Sequence, residues 1–459
     1  MLANHRSQPV IRRMIATTLA IAALGCSAGA LAQTAKEEAL EARVAELEKL
    51  VKQLMAEKQA APAAAPAAVA AAPAKPAAAP VQATSITPNA APGTSFVLTG
   101  FVKADALFSD TSNADLAGSR PGRDYYVPGA TPVTGESEGV DFNSHIKQSR
   151  VNFGTDTVLD GGDKVSTRFE IDFFGSDLGN ERVANTYAPV VRHAYVQWRN
   201  WLVGQTWSNF MDPATLPETA DFIGTTDGTS FVRQPQVRFT SGGFSLSAEN
   251  PETTITPFGG GAQITSDDSR LPDFTARYAY KAGWGHVALA GLLRELKFER
   301  IFVPATPTAP AISAADDSTW TGALSLSGKF NIGKDDIRWM LLGGNLGRYV
   351  ALNFANDAVL DSSNNLESID GYAGFIAYRH VWTPKLRSTF SYAMEEYDND
   401  VALTGGSANK SSDSWTVNLF YSPFPKLDIG AEWRSATREL ENGTDGDLDR
   451  LQLTTKYSF

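Results

Sequence analysis

From Thr94 to Phe459 the sequence alternates between apolar and polar side chains with a period of two. That period belongs to β-strands with two unlike faces and to no helix. The last segment shows it best. Leu451, Leu453, Thr455, Tyr457 and Phe459 alternate with Arg450, Gln452, Thr454, Lys456 and Ser458. Val165, Thr167, Phe169 and Phe173 stand in the same way against Ser166, Arg168, Glu170 and Asp172, as do Leu427, Ile429, Ala431 and Trp433 against Asp428, Gly430, Glu432 and Arg434. A soluble sandwich also alternates, but Phe459 sits where a membrane-interface girdle would need an aromatic.

Such segments lie at 94–108, 143–157, 163–176, 190–199, 201–208, 230–241, 243–250 and 271–282, then at 284–298, 317–331, 335–349, 366–382, 385–397, 412–423, 426–440 and 447–459. These sixteen segments make the even number that single-chain bacterial barrels use. Tight turns such as Asp160-Gly161-Gly162, Arg199-Asn200, Gly242-Gly243, Thr383-Pro384 and Phe424-Pro425 alternate with longer polar links. The expected fold is all-β: a 16-stranded antiparallel transmembrane barrel over residues 94–459, with short periplasmic turns, long external loops and both ends in the periplasm.

Three shorter segments precede it. Residues 1–32 read as an export signal, with Arg6, Arg12 and Arg13 ahead of an apolar run and Ala30-Leu31-Ala32 as the cleavage pattern. A lipoprotein signal ending at Cys26 is the rival, although Leu24 is poorly placed for it. Residues 33–58 carry Leu40, Leu47 and Leu54 with Val44 and Val51 at the complementary heptad positions, which fits a short coiled coil or a single amphipathic helix. Residues 59–93 are an Ala/Pro-rich linker, where Pro62, Pro66, Pro73, Pro76, Pro80 and Pro88 exclude a packed helix. Extended, such a tether reaches on the order of 100 Å.

Composition narrows the function. The formal charge of −11 argues against a nucleic-acid partner. Cutting after Ala32 removes three bases and no acids, giving −11 − 3 = −14 for the exported chain. It also removes Cys26, the only cysteine, and with it any thiol nucleophile or thiolate ligand. After residue 32 no stretch is long and apolar enough for a spanning helix. His145, His193, His286 and His380 stand alone in ordinary strands without a serine motif, so no catalytic residue, metal site or cofactor is expected. A structural tether between membrane and cell wall is the competing role. An energised transporter would need a folded plug domain for which there is little room.

The stretch RHAYVQWRNWLVGQTWSNFMDPATLPETADF from Arg192 and FVRQPQVRFT from Phe231 resemble the DcaP-type trimeric porins, outer-membrane channels for dicarboxylic acids. SFVLTGFVKADALFSD, SRVNFGTDT and the terminal YSF are similar to that family too. The resemblance implies a homotrimeric outer-membrane porin with a periplasmic coiled coil and passive passage of small hydrophilic solutes, with a preference for anionic, dicarboxylate-like ones. Its other partners would be outer-membrane lipids, lipopolysaccharide and the barrel assembly machinery, with Phe459 as the assembly signal. Short apolar strands four and five are where protomers would meet.

A sixteen-stranded barrel leaves an aqueous lumen unless something narrows it. The third long link, residues 209–230, is the expected constriction, with acids Asp212, Glu218, Asp221 and Asp227 and stiffening Pro213 and Pro217. Inward bases Lys103, Arg150, Arg168, Arg434 and Arg450 fall on strands that become neighbours when the last strand closes onto the first. Arg238 and Arg277 are further inward bases. Together they predict an anion-attracting wall. Pairing with lumenal acids such as Asp105, Glu170, Asp172 or Glu432 is the plainer alternative for any one of them.

Overall fold

The computed structural model describes residue 49 and residues 93–459, apart from 119–120, 176–178, 181–184, 303 and 305–313. The segments expected to be an export signal, a coiled coil and a linker lie outside the described residues, save Lys49 and Gly93. The wall consists of β1 (Thr94–Thr111), β2 (Asp141–His145 continued by Arg150–Val158), β3 (Lys164–Asp172), β4 (Val190–Trp198), β5 (Trp201–Trp207), β6 (Arg233–Ser241), β7 (Phe244–Glu249) and β8 (Asp273–Ala282). It continues through β9 (Gly285–Arg300), β10 (Ala315–Ile332), β11 (Asp335–Gly344), β12 (Gly371–Thr383), β13 (Leu386–Tyr397), β14 (Asn409–Tyr421), β15 (Leu427–Leu440) and β16 (Asp445–Ser458). Each pairs antiparallel with its chain neighbours, and β1 pairs with β16 from Phe101↔Ser458 to Thr111↔Leu448. The sheet is therefore a closed 16-stranded antiparallel barrel, and closure leaves no unpaired edge in the wall.

β2 is broken at residues 146–149, opposite Lys103. There the Ser149 hydroxyl takes over the ladder: it accepts from Lys103 N at 3.0 Å and donates to Lys103 O at 3.2 Å. Burial follows the period of two. On β1, Lys103, Asp105, Leu107, Ser109 and Thr111 are buried inward, whereas Phe96, Leu98 and Val102 are exposed outward. Trp198, Trp201, Trp284, Trp382, Tyr421, Phe424, Tyr457 and Phe459 are exposed at the short-turn end, as an interfacial aromatic girdle requires.

Link lengths alternate as the sequence predicts until the last pair, where the expectation fails. Residues 441–444 form a tight hairpin, with Gly443 N donating to Leu440 O and Leu440 N to Thr444 O, both at 2.9 Å. Gly443 adopts φ +80°, which lets the turn close and lengthens β15 and β16 toward each other.

Three long links turn into the barrel; the first, residues 112–140, buries Tyr126 there. Loop L3 (208–232) crosses the lumen, and loop L6 (345–370) packs on it through a bridge between Ser230 and Val350. Phe231 N donates to Tyr349 O at 3.1 Å and Ala351 N to Thr229 O at 3.2 Å. Phe210 of L3, with Leu346, Tyr349, Val350 and Phe354 of L6, forms an apolar core against Leu292, Met340, Leu342 and Phe375 of the wall. The apolar run Tyr349-Val350-Ala351-Leu352 and Phe354 of L6 supplies the side chains for this burial. Parts of L6 and of loop L4 (250–272) also join in a small sheet, with Thr253–Thr256 beside Ala358–Leu360.

Candidate functional site

L3 is held around much of the lumen by side chains from separate strands. At its start, Asp212 accepts from Ala214 N and so caps the turn Pro213–Thr215. The same carboxylate lies 2.8 Å from His286 Nε2 on β9 and accepts from Ser327 Oγ on β10 at 3.1 Å. Arg277 on β8 donates to Met211 O at 3.2 Å, and Arg238 on β6 donates to Trp207 O just before the loop. In mid-loop, Ala220 N and Asp221 N donate to the Glu432 carboxylate of β15 at 2.7 and 3.1 Å. Lys103 donates to Ala220 O at 2.6 Å, and Arg434 donates to Gly224 O.

The acids of L3 do not share one role. Asp221 accepts from Tyr126 N at 2.9 Å and from Ile223 N and Gly224 N at 3.2 Å, so it folds its own turn and holds the first long loop, L1 (112–140). Asp227 is fully buried and accepts from the hydroxyls of Tyr126, Ser412 and Ser414. Glu218 alone keeps appreciable exposure, and it receives both ends of the Arg387 fork at 2.7 and 2.6 Å. Glycine completes the seat. A Cβ on Gly228 would come within 2.1 Å of Gly374 O on β12, so only glycine lets the loop backbone touch the wall.

The bases expected to form a wall are on five adjacent strands, β15, β16, β1, β2 and β3, because β16 pairs with β1. Their surroundings differ. Lys103, Arg434 and Arg450 are 4%, 2% and 2% exposed and are engaged by loops. Arg450 donates to Gly122 O of L1 at 2.7 Å and to Ser109 Oγ at 2.9 Å, while Arg434 lies over the Tyr126 ring at 4.4 Å. Arg150 remains partly open, 3.4 Å from both Glu170 and Asp172, and Arg168 lies 3.1 Å from Asp156.

Another group of bases lies across the lumen wall on β10, β11 and β12. Asp336 is 1% exposed and takes Arg338 at 2.7 Å, Arg379 at 2.6 Å and Lys329 at 3.7 Å. Lys329 and Arg379 keep 25% and 28% of their side-chain surface open. One buried carboxylate thus faces three cations, leaving a local surplus of two positive charges. Farther round, Arg387 and Lys456 share Asp428 at 2.9 and 3.3 Å. The signal for Lys329, Arg338 and Arg379 was present in the sequence, since each sits at an inward position next to an aromatic residue of opposite parity, Phe330, Trp339 and Tyr378. Arg192 carries no such signal. It occupies the extra residue of a bulge opposite Glu170/Ile171, where parity breaks, and it pairs with Glu170 at 2.9 Å and Asp172 at 2.7 Å. Among the described residues no group of three His, Cys, Asp or Glu could hold a metal ion.

A closed sixteen-stranded barrel with an outward apolar band, an inward polar wall and an infolded third loop defines an outer-membrane diffusion channel of the porin type. The chain belongs to the DcaP outer membrane protein family, whose pattern matches residues 127–459. The crystal structure of the outer membrane channel DcaP of Acinetobacter baumannii superposes with a TM-score of 0.63 at 23% identity, covering 80% of this chain and 98% of that one. Outer-membrane expressed OmpT of Vibrio cholerae gives a TM-score of 0.48 at 11% identity, over 81% of this chain and 99% of that one. Salmonella typhi OmpF in complex with daunomycin gives 0.48 at 10% identity, over 80% and 98%. No curated protein matches the sequence.

Proposed function

We propose that this porin passes small anionic solutes, dicarboxylates among them, in preference to cations of the same size. The observation that carries the reading is the Lys329–Arg338–Arg379 cluster around Asp336, where three bases share one buried acid. Partly open Arg150 and Arg168 add positive charge on the other side of the lumen. Glu218 is the loop acid best exposed to oppose them. In a narrow lumen such charges are screened less than on a surface, so the net −14 of the exported chain does not decide selectivity. Spread over several modest contacts, a diacid is attracted and still released.

The working form in this proposal is a homotrimer among outer-membrane lipids and lipopolysaccharide, delivered by the barrel assembly machinery. Exposed Trp198, Trp201, Val203 and Val237 on β4–β6 supply the apolar contact between protomers. Deleting residues 33–92 should leave the trimer intact on native gels, and monomers would credit that segment instead. The functional test is a planar-bilayer reversal potential under a salt gradient, followed by block of the current by succinate. A cation-selective wild-type channel would overturn the proposal.

A further inference from the structure

At the long-loop mouth, above L3, a cavity of about 260 Å³ opens between L4, L6 and loop L7 (398–408), against the upper ends of β14 and β15. Its lining contains one charged side chain, Arg438, and no carboxylate. This is unexpected in loops so rich in acids. Arg438 donates Nε and Nη2 to Asn409 Oδ1 at 2.9 and 2.7 Å and Nη1 to Thr131 O at 2.8 Å. All these acceptors are neutral, so the guanidinium charge has no ion-pair partner among the described residues. The other polar lining groups are amides and hydroxyls, beside apolar Phe354, Ala355, Ile369 and Ala408. Gln263 donates to Asn356 Oδ1 at 2.8 Å, Asn353 Oδ1 accepts from Thr254 Oγ1 at 3.0 Å, and the exposed Ser407 hydroxyl has no hydrogen bond. A wider cavity of about 550 Å³ shares Gln263, Asn353, Phe354 and Asn409 with it and gives access from the L1 side.

We infer that this cavity is an outer binding site for a small polyhydroxylated monocarboxylate, that is, a sugar acid. One uncompensated guanidinium accommodates one carboxylate. A second carboxylate would be desolvated with no cation to meet it, which disfavours a diacid here. The amides and the free hydroxyl match a body of several hydroxyls, each of which needs a partner once enclosed. The volume lies below the usual range for drug-sized ligands and suits a solute of about six carbons. The site goes beyond the anion preference proposed above and uses none of the Lys329–Arg338–Arg379 cluster.

Titration calorimetry of the full-length protein in detergent, with sodium gluconate as the probe, tests it. Gluconate should bind saturably and at least tenfold more tightly than either sorbitol or succinate. Arg438→Gln should weaken gluconate at least tenfold. Ser407→Trp, a change at an exposed position that fills the cavity without removing a hydrogen bond of the fold, should do the same. Absence of saturable gluconate heat, equal binding of sorbitol or succinate, or unchanged binding by the Ser407→Trp variant would each overturn the inference. Lys329→Gln with Arg379→Gln should keep gluconate binding while changing the reversal potential, so failure of the outer site and failure of the anion-channel reading are separately visible.

Discussion

Lys103, Arg434 and Arg450 differ from Lys329 and Arg379 in a way that their strands do not announce. All five are inward bases on regular antiparallel strands. The first three are sealed beneath L1 and L3 and donate to backbone carbonyls; the other two stay open to the lumen around an outnumbered acid. The same residue type at the same parity therefore serves two ends. Under a loop a base is a clamp that satisfies buried carbonyls, and away from it a base sets the field felt by a solute. Arg338 spans both roles, since it also donates to Leu216 O of L3.

Breaking a clamp should have the largest effect. Arg434→Ala leaves Gly224 O and Ser414 Oγ without their donor inside a buried site and should cost about 3 kcal/mol. The expected readouts are a lower heat-modification temperature on gels and a larger, noisier single-channel current as L3 loosens; an unchanged current would dissolve the distinction between clamp and lumen base. Gly228→Ala attacks the same seat sterically, through Gly374 O, and should cost about 2 kcal/mol with the same change in current. Neither variant should alter the sign of the selectivity.

The open bases should behave in reverse. Lys329→Gln with Arg379→Gln should move the reversal potential toward cations and weaken succinate block, each charge contributing on the order of 1 kcal/mol, with the heat-modification temperature unchanged. Glu218→Gln should give the smallest shift, toward anions, because Arg387 retains Asp428 as a partner. If the Glu218 variant instead destabilises the channel as strongly as Arg434→Ala, Glu218 belongs with the clamps.

The strands were legible almost residue by residue. Val102, Val151, Phe169 and Leu453 face out, and their neighbours face in, because a membrane wall with two solvents enforces parity at every step. Parity failed at Arg192, where a bulge inserts one residue, and the alternation of link lengths failed at the 441–444 hairpin, where a glycine turn shortened an expected loop. The candidate site was only half visible. Inward direction could be read for Lys103 as well as for Lys329, but not which of them a loop would cover.

What the sequence determined by itself is the barrel: strand number, the inward set of side chains and the aromatic girdle all follow from a local period that each short segment repeats. The tertiary structure decided the lumen. Whether Asp227 faces solvent or three hydroxyls, whether Asp336 meets one base or three, and whether L6 stays outside or packs its Tyr349 on L3 depend on which separate strands and loops come together. Local alternation carries no record of such meetings, because they are set by how the loops fold back into a closed space that exists only after β1 and β16 have joined.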